Sequence, residues 1–136
     1  MKLITVFTCL TICCASANAE VAVVVHPANA NTLDTTAISR IFLGKMKEFP
    51  DGSQAVPVTQ LSESAPTAEF NDKVLSKSAS QLKAYWSKLV FTGKGTPPKE
   101  VESDAAIIDL VSSNPNIIGY VDSSAVTGSV KVIATF

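Results

Sequence analysis

Five consecutive apolar residues, Val21–Val25 (VAVVV), stop at His26-Pro27. Four valines in so short a run, closed by a proline, predict a strand and not a helix. Neither alternating face of that strand carries a polar residue, so both faces must be covered. A second run, Ile117–Val121 (IIGYV), predicts another buried strand. Gly119 inside it predicts close backbone packing or approach to a ligand. A chain built around two such strands needs a sheet with material on both sides.

The segments between them supply helices. Asp34 or Thr35 caps a short helix whose Ala37, Ile38, Ile41 and Phe42 share one face, closed by Gly44. Lys45–Ala55 is a polar loop with a turn at Pro50-Asp51-Gly52. Pro57–Gln60 reads as a short strand, Leu61–Thr67 as a Ser-rich loop, and about Ala68 to Leu75 as a helix with Phe70 and Val74 paired at i, i+4. Ser78-x-x-Gln81 is a capping box. It opens the most regular helix, with Leu82, Tyr85, Trp86, Leu89 and Val90 on one stripe, which predicts that Tyr85 and Trp86 are core residues. Phe91–Pro98 (FTGKGTPP) is a rigid loop ending that helix. Ser103 or Asp104 caps a further helix with Ile107, Ile108, Leu110 and Val111 inward, stopped at Asn114-Pro115. Ser123–Gly128 is a turn and Val130–Thr135 a last strand. The order strand, helix, strand, three helices, strand, strand predicts a small α/β domain, a three-layer sandwich.

Residues 1–19 stand apart. Lys2 is a short positive region, Leu3–Cys14 an apolar run too short to span a bilayer, and Ala17-Asn18-Ala19 an A-x-A cleavage site. They predict a secretory signal cleaved after Ala19, a periplasmic or secreted location, and one folded domain over residues 20–136. A lipoprotein signal is the alternative, because Cys13 and Cys14 close the apolar run; Ile12 before Cys13 argues against it. Cys9, Cys13 and Cys14 all leave with this segment, so the exported domain has no disulfide and is held by its core. The chain carries 11 basic and 12 acidic residues. That balance excludes a nucleic-acid partner, which needs a basic face. No second apolar run is long enough for a membrane span.

Catalytic and metal patterns are missing. His26 is the only histidine, and a lone His at a strand end is ordinarily structural. One His without cysteine builds no zinc site, the carboxylates are scattered, and no cofactor motif is present. Gly93-Lys94-Gly95 lacks the phosphate-loop spacing. These absences point away from an enzyme. The stretch with chemical content is Pro57–Lys77. A strand running into a polar loop that opens a helix is a usual cradle for an oxyanion, because first-turn N–H groups and the helix dipole face the loop. Ser62, Ser64 and Thr67 add hydroxyls there. The same spacing also describes a well-capped helix in which Ser64 serves only as the N-cap, with Pro66 in the first turn.

Ile41-Phe42-Leu43-Gly44-Lys45, Phe49-Pro50-Asp51-Gly52, Pro57-Val58 with the Ser-rich helix start, and Asn114-Pro115-Asn116-Ile117-Ile118-Gly119-Tyr120-Val121 occur in this order. The ordered set resembles the phosphate-binding proteins of bacterial ABC transporters, of the type 2 periplasmic binding protein fold, over roughly Ile38 to Asp122. The resemblance implies one α/β lobe of that fold, as in a short branch of the family, with an open face where the cleft between two lobes would be. It also implies a solute-binding module for inorganic phosphate or a similar oxyanion, with an ABC transporter permease or another exported protein as partner. The family's loop follows Arg-x-x-x-Ser-Gly-Thr. Counting back from Phe70 places Ser64, Ala65 and Pro66 on Ser-Gly-Thr and Gln60 on the Arg, so only the Ser is kept. Gln60, Ser62, Ser64 and Thr67 are then the expected ligand-binding residues of a degenerate loop with weak anion binding. The alternative is a protein–protein interaction or sensory module that has lost ligand binding.

Overall fold

The structure, a computed structural model, describes residues 20–136. The expected signal segment, residues 1–19, and the expected cleavage after Ala19 lie outside the described residues. Five strands form one sheet: β1 (Val21–Val25), β2 (Val56–Gln60), β3 (Lys99–Val101), β4 (Ile117–Asp122) and β5 (Lys131–Thr135), in the order β3-β2-β4-β1-β5. Four α-helices connect them: α1 (Thr35–Phe42), α2 (Ala65–Phe70), α3 (Ala79–Phe91) and α4 (Asp104–Ser113). Strand β2 runs parallel to β3 and to β4, whereas β1 is antiparallel to both β4 and β5.

The two apolar runs lie side by side at the centre of this sheet. Alternation divides them between two cores. Val21, Val23, Val25, Ile118 and Tyr120 face α1, α2 and the turn after it, where Ile38, Ile41, Phe42, Phe70 and Val74 close over them. Ala22, Val24, Ile117 and Val121 face α4 through Ile107, Ile108 and Val111. The result is a three-layer α/β sandwich. Connection handedness explains the layering: the chain leaves β2 outward to β3 and returns from β3 inward to β4. Right-handed crossovers in opposite directions put their helices on opposite faces.

Helix ends follow local chemistry. Asp34, Ser64, Ser78 and Ser103 are the N-caps, each accepting from the backbone N–H three residues on. Both halves of the Ser78/Gln81 capping box are made. Gly119 has no room for a side chain: a Cβ there would sit 2.7 Å from Ile107 Cγ2. That is the close packing its place in the apolar run predicts.

Two expectations are corrected and one element is added. The helix after the Ser-rich loop begins at Ala65, not near Ala68, and widens after Phe70 into a π-turn over Asn71–Leu75. Residues 99–101, which the sequence reading assigns to no element, form an edge strand because they pair with Val58–Gln60. Helix α3 has no fully buried residue, and Trp86 is only partly buried. Tyr85 packs on the first core and its hydroxyl donates to Leu43 O at 2.7 Å, anchoring the helix. Trp86 instead stands edge-on to Tyr85, ring centroids 5.1 Å apart, over Gly44 and Gly95. The amphipathic stripe fixes which side of α3 turns inward, but only Leu82 and Tyr85 of it pack on the core.

Candidate functional site

The carboxyl ends of β2 and β4 meet at the Ser-rich loop. Leu61 N donates to Val101 O and Ser64 N to Leu61 O, folding the loop back over the sheet end. Three of the four expected binding residues meet here: Gln60 and Thr67 bond directly to one unpredicted partner, Tyr120, and Ser64 joins through Thr67. Thr67 Oγ1 lies 2.8 Å from the Tyr120 hydroxyl, 2.7 Å from Ser64 Oγ and 3.3 Å from Gln60 O. The Gln60 N–H donates to the Tyr120 hydroxyl at 3.2 Å. Ser62 is exposed and stands outside this cluster.

Gln60 O is only an acceptor, so Thr67 donates in that contact; in the Thr67–Tyr120 and Thr67–Ser64 contacts either hydroxyl can be the donor. Ser64 Oγ also accepts from Thr67 N at 3.3 Å, and Ser64 O takes the Ala68 N–H at 3.2 Å. Pro66 has no N–H. The Ala65 N–H is the first-turn donor outside the network.

Gln60 is buried, and its amide is engaged as well. Nε2 donates to Asp104 Oδ1 at 2.6 Å and to Tyr120 O at 3.1 Å. Asp104 Oδ1 also accepts from Asp122 N at 3.2 Å, so one carboxylate ties the ends of β2 and β4 to the first turn of α4. Burial pushes the Tyr120 hydroxyl above its ordinary range, and the hydrogen bonds from Thr67 and Gln60 offset this only in part. Its ring stacks on Phe70, centroids 4.2 Å apart and planes 9° from parallel, and Phe42 meets Phe70 edge-on at 4.6 Å. A tyrosine in a buried strand needs a partner for its hydroxyl. That was the available signal for Tyr120, although nothing local said the partner would be the loop.

Above this floor runs a groove of about 870 Å³ between α3 and the β2–β3 edge. Phe42, Phe70 and Tyr120 line its base; Leu82, Trp86, Val90 and Phe91 form one wall; Pro97, Pro98 and Glu100 form the other. Ser62, Gln60 and Thr67 open into its inner end. Phe91 is 93% exposed and Val90 54%. Elsewhere, His26 Nδ1 accepts from Ala28 N in a local turn at 3.0 Å. Among the described residues no cluster of three His, Cys, Asp or Glu side chains could hold a metal, and no helix is long and apolar enough to cross a membrane.

Comparison with solved structures finds this architecture in phosphate-transport receptors. The chain is similar to an ABC-type phosphate transport receptor from Vibrio cholerae (21% identity, TM-score 0.56), covering 85% of this chain and 46% of that one. It is similar to a protein described as a phosphate ABC transporter substrate-binding protein, with bound phosphate, from Clostridium perfringens (21%, TM-score 0.64; 85% and 45%). It is also similar to PstS from Borrelia burgdorferi (14%, TM-score 0.60; 85% and 47%). The chain therefore has the fold of a single lobe of these proteins and spans less than half of their length. No family model matches its sequence, and no curated protein matches it.

Proposed function

We propose that the chain is an exported, single-lobe binding module of the phosphate-binding-protein type, whose oxyanion loop binds phosphate or a similar anion only weakly. The fold likeness supports the class of module. One observation supports the weakness: the loop's donors are turned inward. Ser64 hydrogen bonds to Thr67, Thr67 donates to Gln60 O at the sheet end, and Gln60 is held by Asp104 and Tyr120 O. An anion at Gln60, Ser62, Ser64 and Thr67 has to displace those bonds, with the exposed Ser62 hydroxyl and the Ala65 N–H as its ready donors. It also meets no cationic side chain in the loop, where an Arg would supply a paired, charge-assisted contact. An open groove leaves it partly in water, which weakens each remaining bond. Calorimetric titration of the exported chain with phosphate, sulfate and nucleotides tests this. The expected dissociation constant for phosphate is millimolar or weaker, about −4 kcal/mol at best. Micromolar binding would sink the reading.

A second reading is favoured by Phe91. In a module that has lost its ligand and contacts another exported protein or a transporter permease, a fully exposed aromatic beside an apolar groove is the contact surface. Pull-down by the natural chain, lost on Phe91→Ser with phosphate affinity unchanged, distinguishes the two readings.

A further inference from the structure

The groove has a sign on each wall. Helix α3 contributes Lys83 and has no acidic residue along its length, while β3 contributes Glu100 to the facing wall. Lys83 makes no ion pair among the described residues. Between these walls lie the aromatic base and, at the end of α3, Phe91, which lines the groove and is still 93% exposed. Knob, hole and both charges therefore share one face.

A face of this composition complements itself. A two-fold axis that lies in the contact plane and runs along the groove brings the α3 wall of each copy to the β3 wall of the other, and each contact then occurs twice. Lys83 then meets Glu100 at two equivalent places. Phe91 of each copy reaches the partner's aromatic and proline lining, where a large apolar side chain is best desolvated. We propose that a second copy of this chain closes the groove, as an isologous dimer with Phe91 at its centre and Lys83–Glu100 pairs at its rim. The proposal rests on the interaction reading above and names its partner. It does not depend on whether the loop binds an anion.

Sedimentation equilibrium from micromolar to millimolar concentration tests it on the purified chain. The natural chain is expected to dimerise reversibly. Phe91→Asp removes the knob at an exposed site and should weaken the dimer by about 30-fold or more. Lys83→Glu alone and Glu100→Lys alone each place like charges at both rim contacts, and each should weaken it by roughly tenfold. An equimolar mixture of those two variants restores opposite charges at both contacts and should recover association as a heterodimer. These rim variants keep the proposal open to refutation if Phe91→Asp fails to fold. Trp86, the single tryptophan, lines the groove, so its emission should shift with dimerisation. A chain that stays monomeric throughout overturns the proposal while leaving contact with a different protein standing. A dimer indifferent to Phe91→Asp, or one that the charge-reversed mixture fails to restore, places the interface on another face and also overturns it.

Discussion

Gln60 Nε2 donates to Asp104 Oδ1 across 2.6 Å, joining the last residue of β2 to the first residue of α4. The same carboxylate oxygen accepts from Asp122 N at the end of β4. Gln60 stands where the resemblance expects an arginine. Its amide is thus committed to holding the carboxyl ends of the sheet together.

That commitment changes what restoring the arginine would do. A guanidinium at position 60 would lie against the Asp104 carboxylate and be neutralised there before it reached an anion. Gln60→Arg with Ala65→Gly and Pro66→Thr is therefore expected to gain little phosphate affinity. Adding Asp104→Asn should release the charge and strengthen binding by roughly 10- to 150-fold, the range of a hydrogen bond to a charged group. Calorimetry on both variants checks this. Equal affinities would show that Asp104 does not hold the arginine.

Gly119 is expected to tolerate no side chain. A Cβ there meets Ile107 Cγ2 at 2.7 Å, and α4 must move away from the sheet to admit it. Gly119→Ala should cost about 1–3 kcal/mol, as overpacked core substitutions do. Combined with Ile107→Ala, which empties the clashing volume, the total loss should be clearly less than the sum of the two. Additive denaturant midpoints would locate the strain elsewhere.

Much of the sandwich was legible because its signals are local. Val21–Val25 and Ile117–Val121 declare buried strands by composition alone, and Ser78, Ser103 and Asp34 declare caps by side-chain reach. The Ser64–Pro66 start of α2 was also written in the sequence, as an N-cap followed by a first-turn proline, although the apolar pattern placed the helix later. What was not legible depends on distant partners. Lys99–Val101 has no strand pattern and is extended because β2 is beside it. The bonds of Gln60 to Tyr120 cross sixty residues of sequence. The loop's hydroxyls named Ser64 and Thr67 and the resemblance added Gln60; the three do meet, but around Tyr120, which the sequence marked as part of a buried strand and not as a partner of the loop. The stripe on α3 gave direction without coverage, so Trp86 belongs to a groove wall and not to the core.

Trp86→Ala follows from that placement. Full truncation of a buried aromatic costs about 3–5 kcal/mol. Trp86 is partly exposed, so the expected loss is about half of that. The variant should fold cooperatively, with its urea midpoint lowered moderately. A loss at the top of the core range would show that the tryptophan is buried after all.

Export predicts a defined N-terminus. Cleavage after Ala19 leaves Glu20 first, directly ahead of β1. Intact mass of the secreted protein should match a chain from Glu20 to Phe136. A lipid-modified Cys13 or Cys14 is the outcome that refutes the cleavage site.

Tyr120 sets the alkaline limit of the fold. Its hydroxyl is buried and hydrogen bonded to Thr67 and Gln60, and burial raises its pKa above the ordinary value of 10.0. In the unfolded chain the phenol ionises near that ordinary value, while in the folded chain it keeps its proton to higher pH. The folded state therefore binds more protons above about pH 10, and stability falls as pH rises. The stabilisation is fully present below the unfolded pKa and is lost as pH climbs through the folded one. Tyr120→Phe removes this dependence. It also strands the buried Gln60 N–H, so at neutral pH it should destabilise by about 1–3 kcal/mol. Urea midpoints of the two proteins should differ most near neutrality and converge through the alkaline range. Parallel profiles across that range would mean that Tyr120 ionises as readily in the fold as in the unfolded chain, and the hydrogen-bonded floor of the loop would have to be redrawn.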